Sequence, residues 1–542
     1  MVIGEVQRVD TSGSKSSKSS GDTSDCTPPT GIERQKAEKR LVRKLDMRLL
    51  VPVVVIYIMN YIDRTAITSA RLKGLEQDLK LTEVQYSVIL AVFFAVYCPS
   101  QIPSNMVLNY ISCPSWFISA CVISWGLVST LTGVTRNFSG ILICRLFLGI
   151  PEAAFYPGSI YLLSRWYTRK ELALRTAFLY GGLTISSAFG SLMAAGILSG
   201  MEGRLGIRAW RWLFYIEVCG VYKTETRLRR TRCKGRHNDV PGHSDAVSAA
   251  HPNLIFAHCQ IRWILPDYPN NTQWLSPSER RLAQIRLAED AGEADEDTHN
   301  DSAWKGLLSA IKDPKVLLFS FVAFFDLMGM GFVNFFPTLT ATLGFSTTIT
   351  LLLAAPPWIV ASIICVVNGY HADRTGERFF HVTAFWWMSI LGYVVALSTM
   401  SVVGRYIALF LLASGHTGFV MTFVWVSNSI PRPPAKRAAS IGIVSGIGNL
   451  GNLVSSFLWK TEWGPRYAPS MIIGICSLVV AIFLSFVIRT LLVRANKQFE
   501  LLEDDQWQQA PINEDRVREA ARLEGLALEE ALRRRRDFRY LY

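Results

Sequence analysis

Near its start the apolar run RLFLGIPEAAFYPGSIYLLSRWY, Arg145–Tyr167, which is long enough to cross a bilayer, carries the charged residues Arg145 and Glu152. An ionisable side chain inside a membrane helix costs about 2.5–3.5 kcal/mol on insertion scales, so it normally faces a partner or a watery cavity. At 100° per residue, Arg145, Gly149, Glu152 and Tyr156 fall within an arc of roughly 60° and share one helix face. The rise from Arg145 to Glu152 is roughly 10 Å, too long for the two to neutralise each other by direct contact alone. Arg145 therefore either ties its helix to a neighbour or tunes the proton affinity of nearby carboxylates. A second polar set, Asn60, Asp63 and Arg64, occupies the C-terminal half of the run Leu49–Ala70. It reads either as a helix end reaching the interface or as an internal pair.

The other polar interruptions of apolar runs are Gln101, Asn105, Asp326, Asn334, His416, Trp425 and Asn428. Asp326, in FFDLMGMGF, is a substrate or ion contact or a helix-packing hydrogen bond. His416 reads as a packing residue whose chemistry would also suit a pH-sensitive role.

These residues must be held by membrane helices. The chain has 542 residues, half of them hydrophobic, and its apolar residues recur in blocks of about 20. The net charge of +13 lies mainly between those blocks. The positive-inside rule accounts for that placement and leaves no case for nucleic acid. The ten cysteines show no metal-ligand spacing, and no metal site or cofactor is expected. There is no HExxH pair, nucleophile elbow or Walker lysine motif, which disfavours an enzyme and direct ATP drive.

Taken in order, residues 1–45 read as a disordered cytoplasmic tail and 46–217 as an N-terminal bundle of five spans and the start of a sixth. Residues 261–314 read as the rest of helix six and a central cytoplasmic loop, with a capping box at SPSE from Ser276. Residues 315–493 read as six further spans and 494–542 as a cytoplasmic tail. The links RWYTRKELALR, HADRTGERFFH and PRPPAKR are basic and read as cytoplasmic. Only twelve spans satisfy every link. The sixth should continue from WRWLFYIE, yet Val218–Gln260 is polar and basic. It reads as an anomalous insert, a translated intron or wrong frame, and simple excision would leave a run too short to span.

The stretches YIDRTAITSARLKGLEQDL, RLFLGIPEAAFYPGSIYLLSRWYTRKELALR, AWRWLFYIE, ILPDYPNNTQWLSPSER and HADRTGERFFH resemble the major facilitator superfamily. Within it they are similar to the anion:cation symporter branch, and there to fungal allantoate permeases and high-affinity nicotinic acid transporters. The resemblance implies an all-α membrane protein of two six-helix bundles around a central site. It also implies that GYHADRTGER gates the inward opening through Gly369, Asp373, Arg374, Gly376 and Arg378, with Asp373 holding partners between helices. The equivalent first-half loop near Asn109–Pro114 lacks the Asp-Arg pair.

By the same resemblance Asp63, Glu152 and Arg145 carry proton coupling and Arg64 binds substrate; Tyr156, Gln101, Asn334, Trp425 and Asn428, read from the spans themselves as cavity-lining or interrupting residues, are the further substrate-binding candidates. A guanidinium stays charged and can hold a carboxylate in bidentate fashion, so anion binding at Arg64 can be linked to protonation of Asp63 or Glu152. The implied function is proton-coupled uptake of a small organic anion, such as nicotinate or allantoate, by a monomer in the plasma membrane with both termini cytoplasmic. The rival readings are a nutrient sensor that binds without transporting and an inactive product of a faulty gene model.

Overall fold

Helix α6, Phe138–Glu152, is apolar outward and charged inward. Ile143, Phe147 and Ile150 are 56%, 55% and 47% exposed along one face, whereas Arg145 and Glu152 opposite them are 4% and 2% exposed. Such a helix suits lipid outside and a polar protein interior inside.

The computed structural model describes residues 31–72, 74–203, 206–215, 265–272, 274–291, 303–501 and 539–542. Among these residues there are eleven helices long and apolar enough to cross a membrane and no strand, so the chain is an all-α polytopic protein.

Helix α1, Gly31–Leu45, runs through a π-helical turn, Asp46–Leu50, into α2, Val51–Arg71. The expected disordered tail is thus corrected over 31–45. Leu41 and Leu45 of α1 are fully buried, and Arg34 and Lys44 pair with Glu289 and Glu279 of α9, Pro277–Ala291. Exposed ion pairs contribute little, so burial of the leucines is the stronger anchor. The short α3, Leu75–Asp78, precedes α4, Glu83–Tyr110, which opens on a Thr82–Gln85 capping box. Helices α5, Pro114–Thr132, α6, α7, Phe155–Ser164, and α8, Leu172–Gly200, complete the described spans of the first half.

Residues 209–215 are helical, where the sixth span is expected to begin. Trp210 Nε1 and Arg211 Nη2 both donate to Asp78 Oδ2 at 3.1 Å, and the Tyr215 hydroxyl donates to Gly133 O at 3.0 Å. The remainder, including the Val218–Gln260 insert, lies outside the described residues.

In the second half α9 has its expected capping box, with Ser276 Oγ accepting from Glu279 N at 3.2 Å. After α10, Ala303–Ile311, come α11, Pro314–Gly329, a 3-10 turn, Gly331–Phe335, and α12, Phe336–Ala341. Helices α13, Thr347–Thr375, α14, Phe379–Ser398, α15, Val402–Ser429, α16, Pro434–Ser455, and α17, Ala468–Leu501, follow.

Two runs that read as single spans are broken. One is interrupted between α6 and α7, beside Pro151 and Pro157, and the other at Met330 between α11 and the 3-10 turn. Proline removes a helix donor, and irregular backbone at membrane depth is tolerated where it is enclosed in protein or lines a cavity.

The halves meet along two seams, α8 against α13 and α4 against α16. Small residues permit the approach. A Cβ on Gly446 would stand 2.7 Å from Cys98 O, and one on Gly442 would stand 3.1 Å from Gln101 O. Both seams are tight toward the end of the molecule that carries the three basic links, called the basic end below.

Candidate functional site

Helix α2 places Tyr57, Tyr61, Arg64, Thr65 and Thr68 on one stripe, because these spacings of three and four residues return to the same face. The stripe forms one wall of a cavity of about 70 Å³ between the halves, room for several waters. Phe94, Tyr97, Tyr156, Tyr180 and Phe419 make the rest of an aromatic lining, and Asn334, His416, Asn449 and Asn452 supply polar groups. Tyr156 is near-parallel to Tyr57 at a ring separation of 5.4 Å and to Phe419 at 6.0 Å. The lining extends to Thr68 and Asn452, in the last turns of α2 and α16, so the cavity lies toward the end opposite the basic links.

Arg64 forms an ion pair with Glu152 of α6, and its guanidinium lies 4.9 Å over the Phe93 ring and 4.6 Å over the Tyr97 ring. Arg145 makes no direct contact with Glu152, but it interacts electrostatically with both Glu152 and Asp63. Two carboxylates and two guanidiniums therefore form one charge-balanced group across α2 and α6.

The structure brings Arg64, Tyr156 and Asn334 to one cavity, with Glu152 behind Arg64. It does not bring the other three expected binding residues there. Gln101 is fully buried in the α4–α16 seam with no side-chain hydrogen bond. Trp425 lies near the basic end and donates to Leu541 O at 3.2 Å. Asn428 borders a separate space of about 20 Å³ with Arg169, Asp290 and Arg437.

Asp373 accepts from the backbone N–H groups of Ala173 and Leu174 at 3.1 and 2.8 Å, joining α13 to the start of α8. Arg378, fully buried, lies 3.5 Å from Asp373 and donates to Ala372 O and Arg169 O at 2.5 and 3.0 Å. Gly369 packs on Ala177 and would place a Cβ 3.0 Å from Ala173 O, while Gly376, at φ +70°, closes α13 in a left-handed conformation. Arg374 is exposed, 4.7 Å over the Tyr370 ring. At the first-half loop Asn109 is held by the Tyr161 hydroxyl, and the Tyr268 hydroxyl donates to Leu108 O at 2.6 Å. Residues 265–272 thus strap this loop, with Asp267 Oδ1 also accepting from Ser115 N at 3.2 Å.

Sequence reasoning missed Tyr57, Tyr61, Tyr97 and Tyr180. The stripe through Tyr57, Tyr61 and Arg64 was the available signal, because aromatic residues at helical spacing lead to a charge that must face a cavity.

Two packed helical halves, a central cavity holding a buried ion pair, and a seal at one end define a membrane transporter. The model of the Major Facilitator Superfamily matches residues 53–221 and 254–456, and the chain belongs to that superfamily. The chain is 31% identical over 449 residues to MFS-type transporter cnsO of Penicillium expansum, covering 80% of this chain and 79% of that one. It is 28% identical over 437 residues to a putative tartrate transporter of Agrobacterium vitis, covering 78% and 85%. Among solved structures, the inward-facing, unoccupied form of a bacterial homolog of the human lysosomal transporter Spinster matches at a TM-score of 0.55. That match has 18% identity and covers 81% of this chain and 96% of that one.

Proposed function

We propose that the protein takes up a small organic carboxylate, coupled to protons, by alternating access in the plasma membrane. The observation that carries this reading is the Arg64–Glu152 pair at the cavity wall. A substrate carboxylate takes the place of Glu152 on the guanidinium, and the displaced Glu152, left in low dielectric, takes up a proton. Anion binding and protonation are thereby linked at one site. The name of the tartrate relative fits a carboxylate substrate, and the aromatic lining favours a flat ring such as nicotinate over allantoate. With the basic links in the cytoplasm, the cavity faces outward and both termini lie inside. The gate at Asp373 and Arg378 is then the inner one. Nothing in this scheme requires more than one copy of the chain.

The test is uptake of labelled nicotinate and allantoate by cells expressing the full chain, with and without a proton uncoupler. Saturable, uncoupler-sensitive accumulation is expected. Uncoupler-insensitive accumulation would refute proton coupling, and binding without uptake would replace transport with sensing. Arg64→Lys should weaken carboxylate binding about tenfold, because an ammonium lacks the planar fork.

A further inference from the structure

Asp326 lies on α11 one turn before the break at Met330, and its backbone carbonyl accepts from Met330 N at 2.8 Å. Its side chain is fully buried, and among the described residues neither carboxyl oxygen has a partner at full hydrogen-bond geometry, the Trp386 indole N–H being the donor turned toward it. Its neighbours in sequence, Leu327 and Met330, line the central cavity.

Among the described residues no cation acts on this carboxyl. From α14 the donor that faces it is the Trp386 indole N–H, which itself lacks an acceptor, while the Tyr393 hydroxyl is taken by Gly329 O. On the other helices packed beside α11, His416 Nδ1 of α15 and Ser445 Oγ of α16 are also buried without partners, and Asn449 Nδ2 donates to Ser445 O at 2.9 Å. Helix α17 packs here through Gly474 and Leu478. Across the cavity the phenols of Tyr156 and Tyr180 lie within electrostatic range. The charged residues nearest the start of α16, Lys436 and Arg437, stand at the basic end, where Lys436 pairs with Asp313.

The two halves repeat one arrangement with one difference. Glu152 is the last residue of α6, directly before the first helix break, and Asp326 stands one turn before the second. Glu152 has the Arg64 guanidinium, and Asp326 has none among the described residues. A buried carboxylate with no cation and a single indole N–H facing it sheds its charge by binding a proton.

We propose that in the substrate-free state sealed at the basic end one transported proton already resides on Asp326, while Glu152 is ionised on Arg64 and takes up its own proton only when substrate displaces it. This assignment rests on the proton-coupled reading above. When the basic end opens, water reaches the α11 break, the Asp326 O–H bond breaks and its proton passes to that water. The carboxylate left behind is solvated until the seal reforms, and it is reprotonated through the central cavity from the opposite side.

Infrared spectra of the purified full chain in lipid at neutral pH test the assignment without a substrate. The carbonyl stretch of a protonated carboxyl should disappear in Asp326→Asn, persist shifted in Asp326→Glu, and persist unchanged in Glu152→Gln. A band retained in Asp326→Asn, or lost in Glu152→Gln, would overturn it. In proteoliposomes with labelled nicotinate, Asp326→Asn should lower accumulation driven by a pH gradient and keep exchange of internal for external label. Wild-type uptake indifferent to the gradient would overturn the coupling reading itself. Gradient-driven accumulation that is equal in wild type and Asp326→Asn would overturn only the role of Asp326.

Discussion

The carboxylate of Asp373, in the last turn of α13, caps the first turn of α8 in the other half of the molecule, accepting from Ala173 N and Leu174 N at 3.1 and 2.8 Å. A helix start leaves N–H groups unsatisfied, and a carboxylate there also complements the helix dipole. The bond therefore joins the two halves at the basic end, and under the alternating access proposed above it is lost when that end opens.

Removing that cap should loosen the seal. Asp373→Ala costs about 1 kcal/mol by the usual value of an N-cap, roughly a fivefold shift toward the open state. Cys365, 1% exposed in the same seam with its thiol 3.6 Å from Ala177 O, is a natural reporter. In a chain with Cys365 as its sole cysteine, Asp373→Ala should raise its alkylation rate about fivefold. An unchanged rate would mean that the cap does not hold the seal.

The opposite seam makes the complementary case. A Cβ on Gly446 would stand 2.7 Å from Cys98 O, which is backbone and cannot turn aside. Gly446→Val should cost the sealed state about 1–3 kcal/mol by overpacking. Uptake should fall severalfold or more while the amount of protein in the membrane stays unchanged. Wild-type uptake would show that α4 and α16 separate at no cost.

How much of this was legible beforehand depends on which physical signal each feature leaves. Spans are visible because lipid demands long apolar runs, and the internal face of α6 is visible because Arg145 and Glu152 cannot face lipid. The pairing of Glu152 with Arg64 rather than Arg145 depends on how α2 lies against α6, which no local spacing encodes. Trp425 and Asn428 read as cavity residues because a polar or aromatic break in a span signals a partner without saying at what depth. The breaks at 153–154 and Met330 were hidden because the runs through them stay apolar. Residues 222–253 fall outside the superfamily match, in keeping with a polar stretch that cannot continue a span.

The aromatic lining predicts a split among substrates. Tyr156 stacks on Tyr57 and Phe419, and a flat ring in the cavity would meet the same faces. Aromatic pairs contribute about 0.5–1.5 kcal/mol beyond area burial, so Tyr156→Ala should raise the KM for nicotinate roughly two- to tenfold. The KM for an aliphatic carboxylate such as tartrate should change less, because it gains no stacking. Equal losses for both would assign Tyr156 to the shape of the cavity rather than to ring recognition.

Trp425 allows binding and sealing to be told apart. Its indole N–H donates to Leu541 O, and its neighbours in this contact bridge the halves: Arg169 donates to Arg539 O at 3.0 Å, and Arg378 N donates to Tyr542 O at 2.9 Å. Trp425→Phe keeps the ring that meets Phe319 edge-on at 5.4 Å and removes only the N–H. One hydrogen bond contributes about 1 kcal/mol net, so the seal should weaken by roughly fivefold while substrate KM stays unchanged. Removing residues 539–542 deletes all of these bonds and should raise Cys365 alkylation further than Trp425→Phe does. A raised KM in Trp425→Phe with unchanged alkylation would return Trp425 to the binding site, against its place at the basic end.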